Sequence, residues 1–235
     1  MLDQLADMGS ASPTELANRM TVPVSTTHDY LSTLENLGYV LANDGEYSLS
    51  ARLLYFGAKM RDQSAFFQAA KPVAKELARE SGEQGVVSVV EGLELIYIFT
   101  HSNNEQYELS LHPGVSVPLH VSSSGRAVLA NLPKEKRERY HQNVIESDPD
   151  VRIDRRGLEE ELDTIRERGW ASTRYRRGTE SIASPVRREG TVVGAISVGA
   201  PSNRMEHHEF RSQVIEDILD GANLIEINMM ESVDP

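Results

Sequence analysis

The sequence contains no cysteine, which excludes disulfides, thiolate zinc sites, iron–sulfur clusters and thiol catalysis. Lysine is nearly as scarce, with Lys59, Lys71, Lys75, Lys134 and Lys136 as the whole complement. No apolar run approaches the ~20 residues of a membrane-spanning helix, so no membrane partner is expected. The opening MLDQLADMGS lacks the charged-then-apolar order of a secretory signal and reads as the start of an amphipathic helix. A cytoplasmic location follows as the expectation. Gly-rich phosphate loops and dinucleotide fingerprints are missing as well.

What is present is acid. Asp and Glu number 36 against 24 Lys and Arg, a formal net charge of -12, and they are dispersed along the chain. An ordinary acidic cytosolic protein would fit. So would a protein of a salt-adapted, halophilic prokaryote such as an archaeon, where screening tolerates self-repulsion and charge maintains solubility. The shortage of Lys beside abundant Asp and Glu favours the second. At 235 residues and 39% hydrophobic content the chain can bury one large core or two small ones.

Residues 1–50 predict three short helices and a hairpin. Leu2, Leu5 and Met8 form a helical stripe. Ser12 to Glu15 is a capping box with Pro13 at the first helical position, and Leu16, Ala17 and Met20 give the second helix its buried face. After Pro23, Ser25 is the expected cap of a third helix. Its inner face is Thr27, Leu31, Leu34 and Gly38, and its outer face is Ser25, Thr26, Asp29, Ser32, Thr33 and Asn36. A hairpin turning at Asp44-Gly45 completes the outline of a winged helix-turn-helix.

Residues 51–69 predict a connecting helix too rich in large apolar residues (Leu53, Leu54, Met60, Phe66, Phe67) for a solvated linker; packing on a partner chain is expected. From Pro72 onward helices alternate with strand pairs. Strands flank Gly92, and VSVPLH leads into a helix over SSSGRAVLANLP. KEKRERYHQNVI and RRGLEEELDTIRERG are charged helices, the second with Leu158, Leu162 and Ile165 inward. A hairpin turns at Glu189-Gly190, and a long helix closes the chain with Val214, Ile218, Leu219, Ala222 and Ile225 inward. Hairpin-joined strands with helices at the edges predict an α+β domain built on an antiparallel sheet.

Three segments in this order resemble the IclR family of bacterial and archaeal transcriptional regulators. They are STTHDYLSTLENLGYV with a wing and LSARLLYFG, then VPLHVSSSGRAVLANLP, then ERGWASTRYRRGTESIASPVRREGTVVGAISVGAPSNRM. The resemblance covers nearly the whole chain. It implies a winged helix-turn-helix domain at 1–50, a linker helix at 51–69 and a GAF-like effector-binding domain at 70–235. It also implies a homodimer or tetramer that binds operator DNA and a small-molecule effector. Ser123, Ser124, Ser181 and Ser197 fall where the family lines its pocket, Ser181 at a position often Cys. The chain departs from the family with Asp29 where Arg is usual, Thr21 where Gly is usual, a first helix short at its front, and an acidic segment abbreviated to RRGTE.

The candidate DNA-binding residues are Arg19, Ser25, Thr26, His28, Asp29, Thr33 and Tyr47. Residues 1–60 carry seven acids against Arg19, Arg52 and Lys59, a net of -4. Phosphate neutralisation, which usually supplies most non-specific affinity, is therefore weak here. Hydroxyl and backbone contacts can still position a helix, and Asp29 could accept from a cytosine amino group. As a first-turn carboxylate it could equally serve only the helix dipole. His28 suits packing or phosphate better than base reading. In the effector domain, Ser122, Ser123 and Ser124 place hydroxyls and backbone N–H groups at a helix start, a cradle for a carboxylate or phosphate. With Ser181 and Ser197 the lining suits a small polar metabolite such as an organic or sugar acid, while helix capping by Ser122 or Ser123 is the simpler alternative. No catalytic residue, metal or cofactor is expected. SSSG lacks the leading Gly of a nucleophile elbow, and the adjacent histidines of EHHE (Glu206 to Glu209) diverge by roughly 100° on a helix. A sensor that has lost sequence-specific DNA binding is the competing function.

Overall fold

Ser12 caps the second helix as its spacing requires. Its hydroxyl accepts from the Glu15 amide at 3.3 Å, and the Glu15 carboxylate accepts from the Ser12 amide at 2.9 Å. The Ser12 hydroxyl also donates to that carboxylate at 2.6 Å, and with the Ser12 amide it holds the Glu15 carboxyl below its usual range. The computed structural model describes residues 1–103, 111–145, 154–176 and 178–231, and the chain divides into two compact units, Met1–Gln63 and Ser64–Pro235.

The first unit runs α1 (Leu2–Met8), β1 (Ser10–Ala11), α2 (Pro13–Met20), α3 (Val24–Asn36), β2 (Val40–Asn43), β3 (Glu46–Leu49) and α4 (Arg52–Asp62). Leu5, Ala11, Leu16, Leu31 and Val40 form its core. The hairpin turns through Asp44 and Gly45, both at positive φ (51° and 86°), the geometry that suits the strand twist. One reading needs correction. The cap of α3 is Pro23, with no side-chain hydrogen bond, so Ser25 lies inside the first turn. Thr21 ends α2 in the left-handed region at φ 55°, ψ 44°, where a β-branched residue is strained.

The expected helix over 51–69 is broken. α4 stops at Asp62 and α5 (Ala65–Ser81) begins behind a Ser64 cap that accepts from the Phe67 amide at 3.2 Å. Phe66, Phe67, Ala69, Ala70, Val73, Ala74, Leu77 and Ala78 are buried along α5. Pro72 therefore sits inside a helix and marks no boundary. The amide it lacks would have bonded to the carbonyl of Gln68, on an exposed residue that water can reach, and the buried face outweighs that loss.

The second unit continues with β4 (Gln84–Glu91), β5 (Glu94–Ser102), β6 (Ser116–Pro118), α6 (Ser123–Asn131), α7 (Lys134–Tyr140) and a π-helical turn at His141–Ile145. It ends with α8 (Arg155–Arg168), β7 (Ala171–Tyr175), β8 (Thr179–Arg188), β9 (Thr191–Pro201), α9 (Ser202–Met205) and α10 (His208–Glu231). Arg177, within the RRGTE segment, lies outside the described residues. The strands form one antiparallel sheet in the order β6-β5-β4-β9-β8-β7. One face packs α5 and α10 over Val87, Ile98, Ile182, Val186, Ile196 and Val198. The opposite face packs α6 and α8 over Val86, Leu95, Tyr97, Ala183 and Ala195, with Leu158, Leu162 and Ile165 of α8 all buried. Of the five residues expected inward on α10, Leu219 is only half-buried.

Candidate functional site: a hydroxyl cluster and a cation-poor helix face

The loop that delivers α6 is fixed from two sides. Tyr140 accepts from the His120 amide at 3.1 Å, and its hydroxyl lies 2.7 Å from the His120 Nδ1. Arg126 reaches back from α6, donating to the His120 carbonyl at 2.9 Å and pairing with Glu161 at 2.8 Å. Gly125 permits the closest approach, because a Cβ there would overlap the Leu119 carbonyl. The start of α6 is thereby held on the sheet.

Ser122 caps α6, accepting from the Gly125 amide at 3.1 Å. Of the hydroxyls predicted to line the site, it is the one that caps the helix. Tyr97 also hydrogen-bonds Ser122, and burial pushes the Tyr97 phenol up to about 12. Ser123 and Ser124 are buried in the first turn. The Ser123 hydroxyl lies 2.6 Å from that of Ser181 on β8, which lies 3.0 Å from the Tyr175 hydroxyl on β7. Ser197 is buried on β9 and shares this face, since it pairs with Ala183 beside Ser181 and with Val86. The predicted serines are thus one locality, joined by Tyr97 and Tyr175. Tyr97 lies outside the family-like segments and Tyr175 within the third; sheet register brings both in.

A cavity of about 500 Å³ lies elsewhere, at the far end of α6. Asn131 and Leu132 line it with the β4–β5 and β8–β9 turns, Lys136 and Arg139. None of the predicted effector residues lines it.

On α3, Ser25, His28, Asp29 and Thr33 are exposed and Thr26 is half-buried. The Thr33 hydroxyl donates to the Asp29 carbonyl at 2.9 Å, leaving its lone pairs outward. Tyr30, 54% exposed between Thr26 and Thr33, belongs to the same face and was not predicted. Tyr47 is half-buried and packs on the small core, which leaves less of it outward than expected. Arg19 turns to α1, donating to the Gln4 side chain and lying 3.9 Å from Asp7. Arg52 donates to the Leu37 carbonyl at 2.8 Å, and Lys59 sits 5.9 Å from the centroid of the Tyr55 ring. Every cation of residues 1–60 therefore has a neighbour within its own unit.

His207 and His208 of the EHHE segment are exposed. Among the described residues no group of three or more acidic or His side chains converges on a metal position, and no helix is long and apolar enough to cross a membrane.

A winged helix-turn-helix followed by an α+β unit with a hydroxyl-lined helix start defines a DNA-binding regulator with an effector domain. Comparison with known proteins agrees. The family described as "Bacterial transcriptional regulator IclR C-terminal" matches residues 59–227, and the "IclR helix-turn-helix domain" matches residues 1–44. The chain belongs to the IclR family of transcriptional regulators. It is 26% identical to the "Probable HTH-type transcriptional regulator ArcR" of Halobacterium salinarum, across 97% of this chain and 90% of that one. It is also 26% identical to the "HTH-type transcriptional repressor AllR" of Escherichia coli K12, across 87% and 78%. Among solved structures, IclR of Thermotoga maritima aligns over 97% of this chain and 96% of its own (TM-score 0.72, 22% identity). An IclR homolog complexed with 4-hydroxybenzoate from Microbacterium hydrocarbonoxydans aligns over 95% and 92% (TM-score 0.77, 23% identity).

Proposed function

We propose that this regulator binds operator DNA through the outer face of α3 with few phosphate contacts, and answers to a small organic or sugar acid held by the hydroxyl cluster under α6. Residues 1–50 are the reading head, α4 connects, and the unit that opens at Ser64 holds the effector. The chain acts as a homodimer or tetramer in the cytoplasm. No residue of α4 is buried, and Leu54, Tyr55 and Met60 are more than half exposed, which supports packing of this helix on a second copy. Half-site geometry then makes the separation of the two α3 helices the quantity that effector binding alters.

One observation carries the DNA reading. All three cations of residues 1–60 have local neighbours, while α3 offers hydroxyls, Asp29 and Tyr30 outward. Such a face loses little when salt removes the counterion-release contribution, which fits the acidic composition and the halophilic source of the ArcR relative. Fluorescence anisotropy with DNA from around its own gene, across a KCl series to multimolar, tests this. Selective binding with a shallow salt slope is expected. A steep slope would sink the cation-poor mode, and no selective binding by a folded oligomer would identify a sensor without an operator.

A further inference from the structure

Gln84 lies outside the family-like segments and Thr173 inside the third of them, yet they share one property. Gln84 is buried and its Oε1 has no hydrogen-bond partner among the described residues, and the same holds for the buried Oγ1 of Thr173. Sheet register places both in line with the effector serines. Gln84 of β4 pairs with Gly199 of β9, Gly199 with Ser181 of β8, and Ser181 with Thr173 of β7. Residues directly opposite in an antiparallel ladder project from one face. The row Gln84–Gly199–Ser181–Thr173 therefore lies on the face that α6 covers, and a residue without a side chain separates Gln84 from Ser181.

Buried polar atoms in native proteins are nearly always satisfied, by protein, water or ligand. An amide oxygen can only accept, whereas a threonine hydroxyl can do either. We propose that Gln84 and Thr173 are specificity-determining residues of the effector site, and that they select a hydroxy acid: a small monocarboxylate bearing at least one alcohol donor. This rests on the reading of the serine cluster as that site. The carboxylate lies at the first turn of α6, against the amides of Ser123 and Ser124 and the Ser123 hydroxyl. An alcohol of the ligand donates to the Gln84 Oε1, and Thr173 meets a second polar group. Nearby guanidinium groups are committed elsewhere, Arg126 to His120 and Glu161 and Arg174 to Glu206. One negative charge is what the helix start can hold, so polyanions are disfavoured.

Calorimetric titration of the full chain with D-glycerate and D-gluconate, each beside its hydroxyl-free counterpart (propionate, hexanoate), tests the proposal. The expected result is at least about tenfold tighter binding of one hydroxy acid than of its counterpart. Gln84→Met and Thr173→Val should each reduce that preference while leaving the affinity for the counterpart and the melting temperature of the unliganded protein undiminished. Equal binding of both acid types, binding of neither hydroxy acid, or a preference that survives both substitutions overturns it. So does a fall in the unliganded melting temperature, which marks the two residues as structural. Ser123→Ala separates the two levels of argument. If that variant binds the hydroxy acid as tightly as the parent, the serine cluster is not the effector site. If it binds weakly while the Gln84 and Thr173 variants bind normally, the site stands and this inference alone fails.

Discussion

The outer face of α3 and the first turn of α6 are built from the same material, small hydroxyl residues near a helix start, and hold it in opposite ways. On α3, Ser25 and Thr33 stand in water. On α6, Ser122, Ser123 and Ser124 are all buried, and Ser122 and Ser123 are bonded to Tyr97, Gly125 and Ser181. Composition therefore does not separate the exposed face proposed to meet DNA from the buried one proposed to enclose a metabolite. The fixed hydroxyls of α6 have lost their freedom before a ligand arrives, as has Thr33 through its bond to the Asp29 carbonyl, whereas the exposed Ser25 side chain loses it on contact, at a cost to affinity.

That contrast can be broken most forcefully at Gly125. Gly125→Ala drives a Cβ into the Leu119 carbonyl, so a loss of about 3 kcal/mol is expected, with the acid-binding site lost as well. Thermal unfolding of the variant checks this, and an unchanged melting temperature would mean that α6 is not held on the sheet as described. The next effect is alkaline. Tyr97 and Tyr140 are both pushed up to about 12 by burial, whereas an unfolded tyrosine titrates near 10. The folded state thus holds these protons longer. Stability from this source is complete below pH ~10 and is lost as pH rises towards 12, on the order of 2 kcal/mol per tyrosine. Denaturant midpoints at pH 9, 10.5 and 12 should fall in that order, and Tyr97→Phe should flatten the fall.

Smaller effects sharpen the comparison from either side. Ser181→Ala cuts the chain from Ser123 to Tyr175 and should cost about 1 kcal/mol, measured by urea unfolding; a neutral result would make the chain incidental. Thr21→Gly relieves a β-branched residue in the left-handed region and should raise stability by about 1 kcal/mol, contrary to the usual sign for glycine, and a lowered midpoint would show that the turn is not strained. Asp29→Arg acts on an exposed position and should move stability by no more than about 0.5 kcal/mol. Its effect belongs in the DNA titration, where the salt slope should steepen by about one.

The legible parts of this fold were those written in neighbouring residues. Ser12 and Glu15, the Asp44-Gly45 and Glu189-Gly190 turns, and the stripe of Leu158, Leu162 and Ile165 each declare themselves within a few positions. Pro72, expected where the second domain opens, lies inside α5 because the buried face of that helix overrides the lost amide. Ser25 is not the cap because the helix opens two residues earlier than expected, behind Pro23. The strand Ser10–Ala11 is too short to show a period, and it exists only through pairing with β3. At the α6 site the serines were visible by family resemblance. Tyr97 and Gln84 reach it through strand register, a relation that spans up to about a hundred residues and leaves no trace in any short window, whereas Thr173 and Tyr175 face Ser181 across the single β7–β8 hairpin.

Gly125 has a counterpart in Gly85, where a Cβ would overlap the Ala74 carbonyl, and in Gly194, where it would overlap the Ser88 carbonyl. These contacts set the terms on which the protein can change over generations. On the proposed reading of the site, the side chains around the α6 start can be exchanged one at a time, each altering which acid is preferred. Positions 85, 125 and 194 admit no such trial, because the backbone of a neighbouring element already occupies the space. Lineages that diverge in effector are therefore expected to vary at the hydroxyls and to keep glycine at those three positions.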